Sequence, residues 1–204
     1  MIILSNVNLK IKNNLILDNL NLIINKHDKI GVVGPNGSGK TVFLRLLAGI
    51  YNNYEGKIDR QDSFFFLSSP GSGVHPNLNL IGNIKRILAY YNFDKVDIDY
   101  TKQLINDFEF SKFQDYEFQT LSEGYKVRVF MIIFFLLDFQ NILIDEFVGF
   151  GDKFIIDKFH KKLSDKFKKI DTLIIASHDQ NLINKFCNRI INFEEGKIIK
   201  DEKI

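Results

Sequence analysis

Apolar positions along the chain follow two periods. From Ile2 to Lys12 and from Leu15 to Asn25 they come in short β-rich pieces joined at Asn13-Asn14, which predicts two antiparallel strands. Ile30 to Val33 is a short apolar run stopping at Gly34, the pattern of a strand buried on both faces. From Lys40 to Ile50 the period changes, and Phe43, Leu44, Leu47 and Ile50 fall at helical spacing. Gly56 to Asp59 and Ser63 to Leu67 predict two further strands. Ser68 to Pro76 reads as a loop. Leu80 to about Phe110 reads as helix, broken near Asn92 to Asp97. Ser122 to Phe139 is apolar almost all round after Arg128, which predicts a buried helix. There follow a strand at Asn141 to Ile144, a helix at Asp152 to Ile170, a strand at Thr172 to Ala176 and a short helix at Gln180 to Phe186. Arg189 to Lys200 closes the pattern as a hairpin turning at Glu194-Glu195-Gly196. Strands alternating with helices predict an α/β fold with a mostly parallel sheet. The Lys153 to Lys169 helix carries seven lysines and two aspartates. Its stripe of Ile155, Phe159, Leu163 and Phe167 predicts a core-facing helix with a solvated lysine face.

Composition narrows this picture by exclusion. The 204 residues are 45% hydrophobic and 25% charged, ordinary for a globular chain. Basic and acidic residues number 27 and 25, a net charge of +2, so no nucleic-acid partner is expected. The longest apolar run, Val129 to Leu137, falls short of the roughly 20 residues of a membrane span. Cys187 stands alone, which excludes an internal disulfide. The opening MIILSNVNLKIK lacks the pattern of a secretory leader, which predicts a cytoplasmic protein.

The chemistry concentrates in a few segments. Gly34-Pro35-Asn36-Gly37-Ser38-Gly39-Lys40-Thr41 fits G-x-x-x-x-G-K-[ST] in full, between a predicted strand and a predicted helix. Such glycines let backbone N–H groups converge on anionic oxygens, and the helix that follows adds its positive end. Lys40 is expected to reach the β- and γ-phosphates, and the Thr41 hydroxyl to coordinate Mg²⁺. Asn25-Lys26-His27-Asp28 matches a guanine-reading motif, but it precedes the phosphate loop and reads as a polar turn.

Asn141 to Glu146 is a buried strand ending in two carboxylates. At the carboxyl end of a strand in an open α/β sheet these emerge beside the phosphate loop. Asp145 is expected to hold Mg²⁺ and Glu146 to polarise an attacking water. Leu173 to Asp179 is another buried strand with a polar end, where His178 could meet a γ-phosphate.

Leu121-Ser122-Glu123-Gly124-Tyr125 lies some twenty residues before the acidic pair. Together with GPNGSGKT, ILIDE and SHD in this order, it makes the chain resemble the ATP-binding cassette (ABC) ATPases over essentially its whole length. The resemblance implies a P-loop NTPase of ABC type: a mostly parallel central sheet, an N-terminal antiparallel β subdomain and a helical subdomain. It implies one nucleotide-binding domain over 1–204, with the helical subdomain at approximately 76–138. ATP and Mg²⁺ are the implied cofactors. Two cassettes would close head to tail, with Ser122 and Gly124 of one meeting the ATP of the other.

The chain departs from the family at several places. Glu123 and Tyr125 stand where LSGGQ has Gly and Gln. His75 stands where a glutamine usually senses Mg²⁺, which makes it an implied metal-site residue. Near Ile11, where an aromatic usually stacks on adenine, only apolar packing is implied. DEFVGFGD, Asp145 to Asp152, and GSGVHPNLNLIGNI, Gly71 to Ile84, resemble the subgroup exporting capsular polysaccharide, O-antigen and teichoic acid. In that register Asp152 occupies the place of the aspartate that crosses the dimer. The implied partners are separate membrane subunits, with a second cassette in the ATP-bound state. The implied location is the inner face of the membrane, reached through those subunits. No further carbohydrate-binding domain is expected after the closing hairpin. Three alternatives stay open: another exporter class, a soluble non-transport cassette, and a degenerate non-hydrolysing partner.

Overall fold

A computed structural model of the chain describes residues 1–61, 64–68, 73–91, 97–145 and 153–204. Strand β1 (Ile2–Ile11) pairs antiparallel with β2 (Asn14–Ile24), and β4 (Glu55–Arg60) joins the other edge of β1. The broken alternation in the sequence has a local cause. The β1–β2 register shifts along its length, and Asn6 and Asn19 take left-handed φ of 50° and 48°. Asparagine tolerates that conformation better than most residues. The Asn6 and Asn19 N–H groups donate to Asn21 Oδ1 and Asn8 Oδ1, at 2.9 and 2.7 Å.

The second sheet runs β5-β6-β7-β3-β8-β9. Its strands are β3 (Lys29–Val33), β5 (Phe65–Leu67), β6 (Asn141–Asp145), β7 (Thr172–Ala176), β8 (Arg189–Glu194) and β9 (Lys197–Lys203). All the ladders are parallel except β8–β9, so the sheet is mostly parallel as the alternating pattern predicts. The apolar runs of β3, β6 and β7 are buried, and each of these strands has a neighbour on both edges in the interior of the sheet. Asn25 to Asp28 is the expected polar turn: Asp28 N donates to the Asn25 carbonyl, and Asn25 N to Asp28 Oδ2 at 2.9 Å.

The helices are α1 (Lys40–Leu47), α2 (Leu80–Tyr91), α3 (Ile98–Asp107), α4 (Glu123–Leu136), α5 (Lys153–Lys169) and α6 (Gln180–Phe186). Helix α1 stops three residues short of the expected Ile50. Gly49 takes φ 79°, its N–H donates to the Leu46 carbonyl, and the Ile50 N–H donates to that of Arg45. This is the Schellman end that a glycine makes easy, and it leaves Ile50 exposed. Helix α4 is buried along Val129 to Phe135, as its unbroken apolarity predicts, and ends at Leu136 because Leu137 is extended.

The lysine face of α5 differs from expectation. Its stripe of Ile155, Phe159, Leu163 and Phe167 is buried, but its cations are not all solvated. Lys158 Nζ donates to the Asp107 carbonyl at the end of α3, and Lys162 pairs with the Asp107 carboxylate at 2.8 Å. Lys166 Nζ donates to the Phe135 and Leu137 carbonyls at the end of α4. These lysines supply donors to carbonyls that a helix end leaves without intrahelical partners.

The chain divides into two compact units. Met1–Ser68, Phe139–Phe147 and Phe167–Ile204 form one, and Ser69–Asp138 with Val148–Lys166 the other. The strand start expected at Ser63, the Glu146 position, and the Asp152 position with its helix start lie outside the described residues. Burial pushes the Cys187 thiol up to about 12, far from the range of thiolate chemistry at neutral pH.

Candidate functional site

The first unit assembles its polar chemistry at one end of the parallel sheet. Register places Val32 of β3 and Asp145 of β6 opposite the same residue of β7, Ala176. Gly34, Asp145 and the Ser177-His178 pair therefore emerge together at the carboxyl ends of three neighbouring strands. In an open α/β sheet this crevice is where ligands bind.

The phosphate loop is held from behind by the closing hairpin. A Cβ on Gly34 would collide with the Phe193 carbonyl oxygen of β8. The Gly196 N–H, in the β8–β9 turn, donates to the Ser38 carbonyl at 2.9 Å, and the Asp18 N–H of β2 donates to the Gly196 carbonyl at 3.0 Å. Gly37 and Gly39 take φ of 79° and 104°, and a Cβ on Gly37 would meet nothing. Two glycines thus curl the loop, and its front is open.

Lys40 is buried, and its ammonium donates to the Gly34 and Pro35 carbonyls at 2.8 and 2.9 Å, so the cation sits at the mouth of the loop. Ser38 Oγ is buried with no hydrogen-bond partner among the described residues. Thr41 Oγ1 donates to Asp145 Oδ1 at 3.0 Å, which brings together two oxygen groups 104 residues apart. Helix α1 begins at Lys40 with Gly39 as its N-cap and no side-chain cap. Its first N–H groups have no partner within the helix. An unsatisfied buried hydroxyl, a cation and open N–H groups fit an anion. A hydroxyl beside a carboxylate fits a small hard cation such as Mg²⁺.

His178 is exposed just beyond β7. The next residue, Asp179, accepts from the Asn181 and Leu182 N–H groups and so starts α6 at a fixed place. Asn36 and Pro35 are exposed on the loop. Ile11 is half-buried at the end of β1, before the turn at Lys12 and Asn13.

The remaining residues named from sequence lie in the second unit. His75 accepts from the Asn77 N–H at its Nδ1 and donates its own N–H to Asn83 Oδ1 at 2.7 Å. Asn83 is fully buried, and its amide group donates to the His75, Leu78 and Asn79 carbonyls. The same turn is tied to the approach of α4: Gln119 N donates to the Pro76 carbonyl and Phe118 N to that of Leu78, at 2.9 and 3.0 Å. Sequence reasoning missed Asn83 as a hub and Gly196 as a support. A buried asparagine and a turn glycine carry no local mark of what they touch.

Ser122 is the N-cap of α4, yet its side chain does not cap the helix, unlike Asp97 and Asp179 at α3 and α6. A Cβ on Gly124 would meet nothing within 4 Å. Nothing inside the described subunit requires this glycine, although glycine within a helix costs about 0.5–1 kcal/mol relative to alanine. The Glu123 carboxylate is turned to Lys126 Nζ, 2.7 Å away.

A family model described as ABC transporter matches residues 17–149, which hold the loop and the acidic pair. The chain belongs to the ABC transporter family. This cassette is an ATP-hydrolysing unit of that family. It is 33% identical over 186 residues to the O-antigen export system ATP-binding protein RfbE of Yersinia enterocolitica, covering 91% of this chain and 78% of that protein. It is 29% identical over 190 residues to the capsule polysaccharide export ATP-binding protein CtrD of Neisseria meningitidis serogroup B, covering 92% and 85%. Among solved structures, the cassette matches an ATP-binding subunit of an ABC transporter with TM-score 0.83 and 16% identity, over 100% of this chain and 90% of that one. It matches the dimeric cassette MJ0796 bound to ADP and Pi with TM-score 0.78 and 22% identity, over 100% and 98%. These two likenesses establish the fold. Among the described residues of the cassette, no helix is long and apolar enough to cross a membrane.

Proposed function

We propose that this cassette powers export of a polysaccharide or other cell-surface glycan, working from the cytoplasmic face through separate membrane subunits. The substrate class rests on its similarity to export ATP-binding proteins for O-antigen and capsule polysaccharide over most of their length. The ATPase chemistry rests on one observation above the others, the 3.0 Å contact of Thr41 Oγ1 with Asp145 Oδ1 at the end of the phosphate loop. Residues 34–41 wrap the phosphates, with Lys40 leaving its carbonyl partners for the β- and γ-phosphate oxygens. Thr41 and Asp145 would hold Mg²⁺, and the family resemblance adds His75 as a metal-site residue. The ion, when bound, draws charge from the β- and γ-phosphates. Glu146 takes a proton from the attacking water, and His178 steadies the γ-phosphate.

Two cassettes close on two ATP molecules, with Ser122 and Gly124 of one facing the triphosphate of the other. The uncapped helix start and the open space over Gly124 support this arrangement. The test is Glu146→Gln. ATP binding is expected to persist, turnover to fall by about 100-fold or more, and an ATP-bound dimer to accumulate on size exclusion. Unchanged turnover would overturn the assignment.

A further inference from the structure

Leu121 to Tyr125, the signature segment of this chain, carries a carboxylate that a triphosphate-facing segment should not tolerate. Glu123 lies between Ser122 and Gly124, with its side chain 81% exposed. Within the Debye length of about 8 Å at physiological ionic strength, such a charge opposes an approaching polyanion. Lys126 lies one helical turn on. Its Nζ is 2.7 Å from Glu123 Oε1, its side chain is only 23% exposed, and its ammonium stands 5.9 Å from the Phe118 ring centre. The Lys126 N–H donates to the Ser122 carbonyl at 2.9 Å, so the lysine is indexed to the serine by the first turn of α4. An exposed pair at this spacing adds little to the stability of a helix. For an anion arriving at Ser122, losing either partner changes the local charge by a whole unit.

We propose that Lys126 is a positioning residue for the partner cassette's triphosphate. By holding the Glu123 carboxylate it cancels the negative charge inside the signature segment, and so sets the ATP concentration at which two cassettes close. This rests on the reading that the signature of one cassette meets the nucleotide of the other.

The experiment is a double-mutant cycle in the Glu146→Gln background, reading the ATP concentration for half-maximal dimer by light scattering. Lys126→Met is expected to raise that concentration about threefold or more by leaving a bare carboxylate. Glu123→Gln is expected to lower it or leave it unchanged, and the double variant to return to the parent value. Raising the salt to 1 M should shrink the differences. ATP binding to the dilute, monomeric protein and the melting temperature should stay at parent values in all three, which separates the effect from loss of fold. A Lys126→Met value less than about threefold above the parent overturns the inference. So does a Glu123→Gln variant that closes less readily, or a double variant as weak as Lys126→Met. Failure of the Glu146→Gln parent to dimerise with ATP overturns the reading of the site, and this inference with it.

Discussion

At Gly196 the backbone takes φ 78°, and a Cβ would run into the Ile16 carbonyl oxygen. The same residue donates to Ser38 and accepts from Asp18, so one glycine joins β2, the closing turn and the phosphate loop. Gly196→Ala should therefore do two things. It forces a left-handed alanine, costing about 1–3 kcal/mol in stability, and it releases the Ser38 carbonyl from its support. Urea unfolding should show the first effect and nucleotide titration the second, as a weakened affinity for ATP. At this same scale some chemistry was legible in advance. Gly34 to Thr41 and Asp145 declare themselves by residue type and spacing. Asn83 does not, because its role lies in three carbonyls that only the folded turn brings within reach.

Between elements, cations on one segment close the ends of others. Arg60 donates to the Leu46 carbonyl at the end of α1, Lys29 to that of Phe167 in the last turn of α5, and Lys166 to those of α4. Lys166→Met should lower stability by about 1 kcal/mol, since charge-assisted bonds to helix carbonyls are among the stronger ones and this one is partly solvated. Lys161→Met, on the exposed face of the same helix, should stay within about 0.5 kcal/mol. Urea midpoints of the pair decide it. A lysine-rich stretch shows where the apolar stripe of Ile155, Phe159, Leu163 and Phe167 must face, because periodicity is local. It does not show which lysine meets which carbonyl, because that pairing is tertiary. For the same reason the apolar pattern overruns the ends of α1 and α4: Ile50 and the residues after Leu136 continue it beyond the point where the backbone turns away.

Across the whole molecule, the phosphate loop and the acidic strand belong to one compact unit and Ser122 to the other. On the proposed reading, the amides from 34 to 41 respond to nucleotide in a single subunit, whereas those from 122 to 126 respond only to a second subunit. Hydrogen exchange of the Glu146→Gln protein should then separate the two. ATP should slow exchange at 34–41 at every protein concentration, and at 122–126 only when the concentration is high enough for dimer. Protection at both segments in dilute monomer would contradict the head-to-tail arrangement. The strand order carries a consequence for synthesis. Strand β3 leads directly into the phosphate loop, yet both its neighbours, β7 and β8, begin only at Thr172 and Arg189. A chain emerging from the ribosome can close the β1–β2 hairpin early, but β3 must wait unpaired until most of the protein has been made. Long-range pairing of this kind is slow. The cradle for ATP is thus among the last parts to be completed, and a prematurely ended chain would carry the whole motif without the sheet needed to use it.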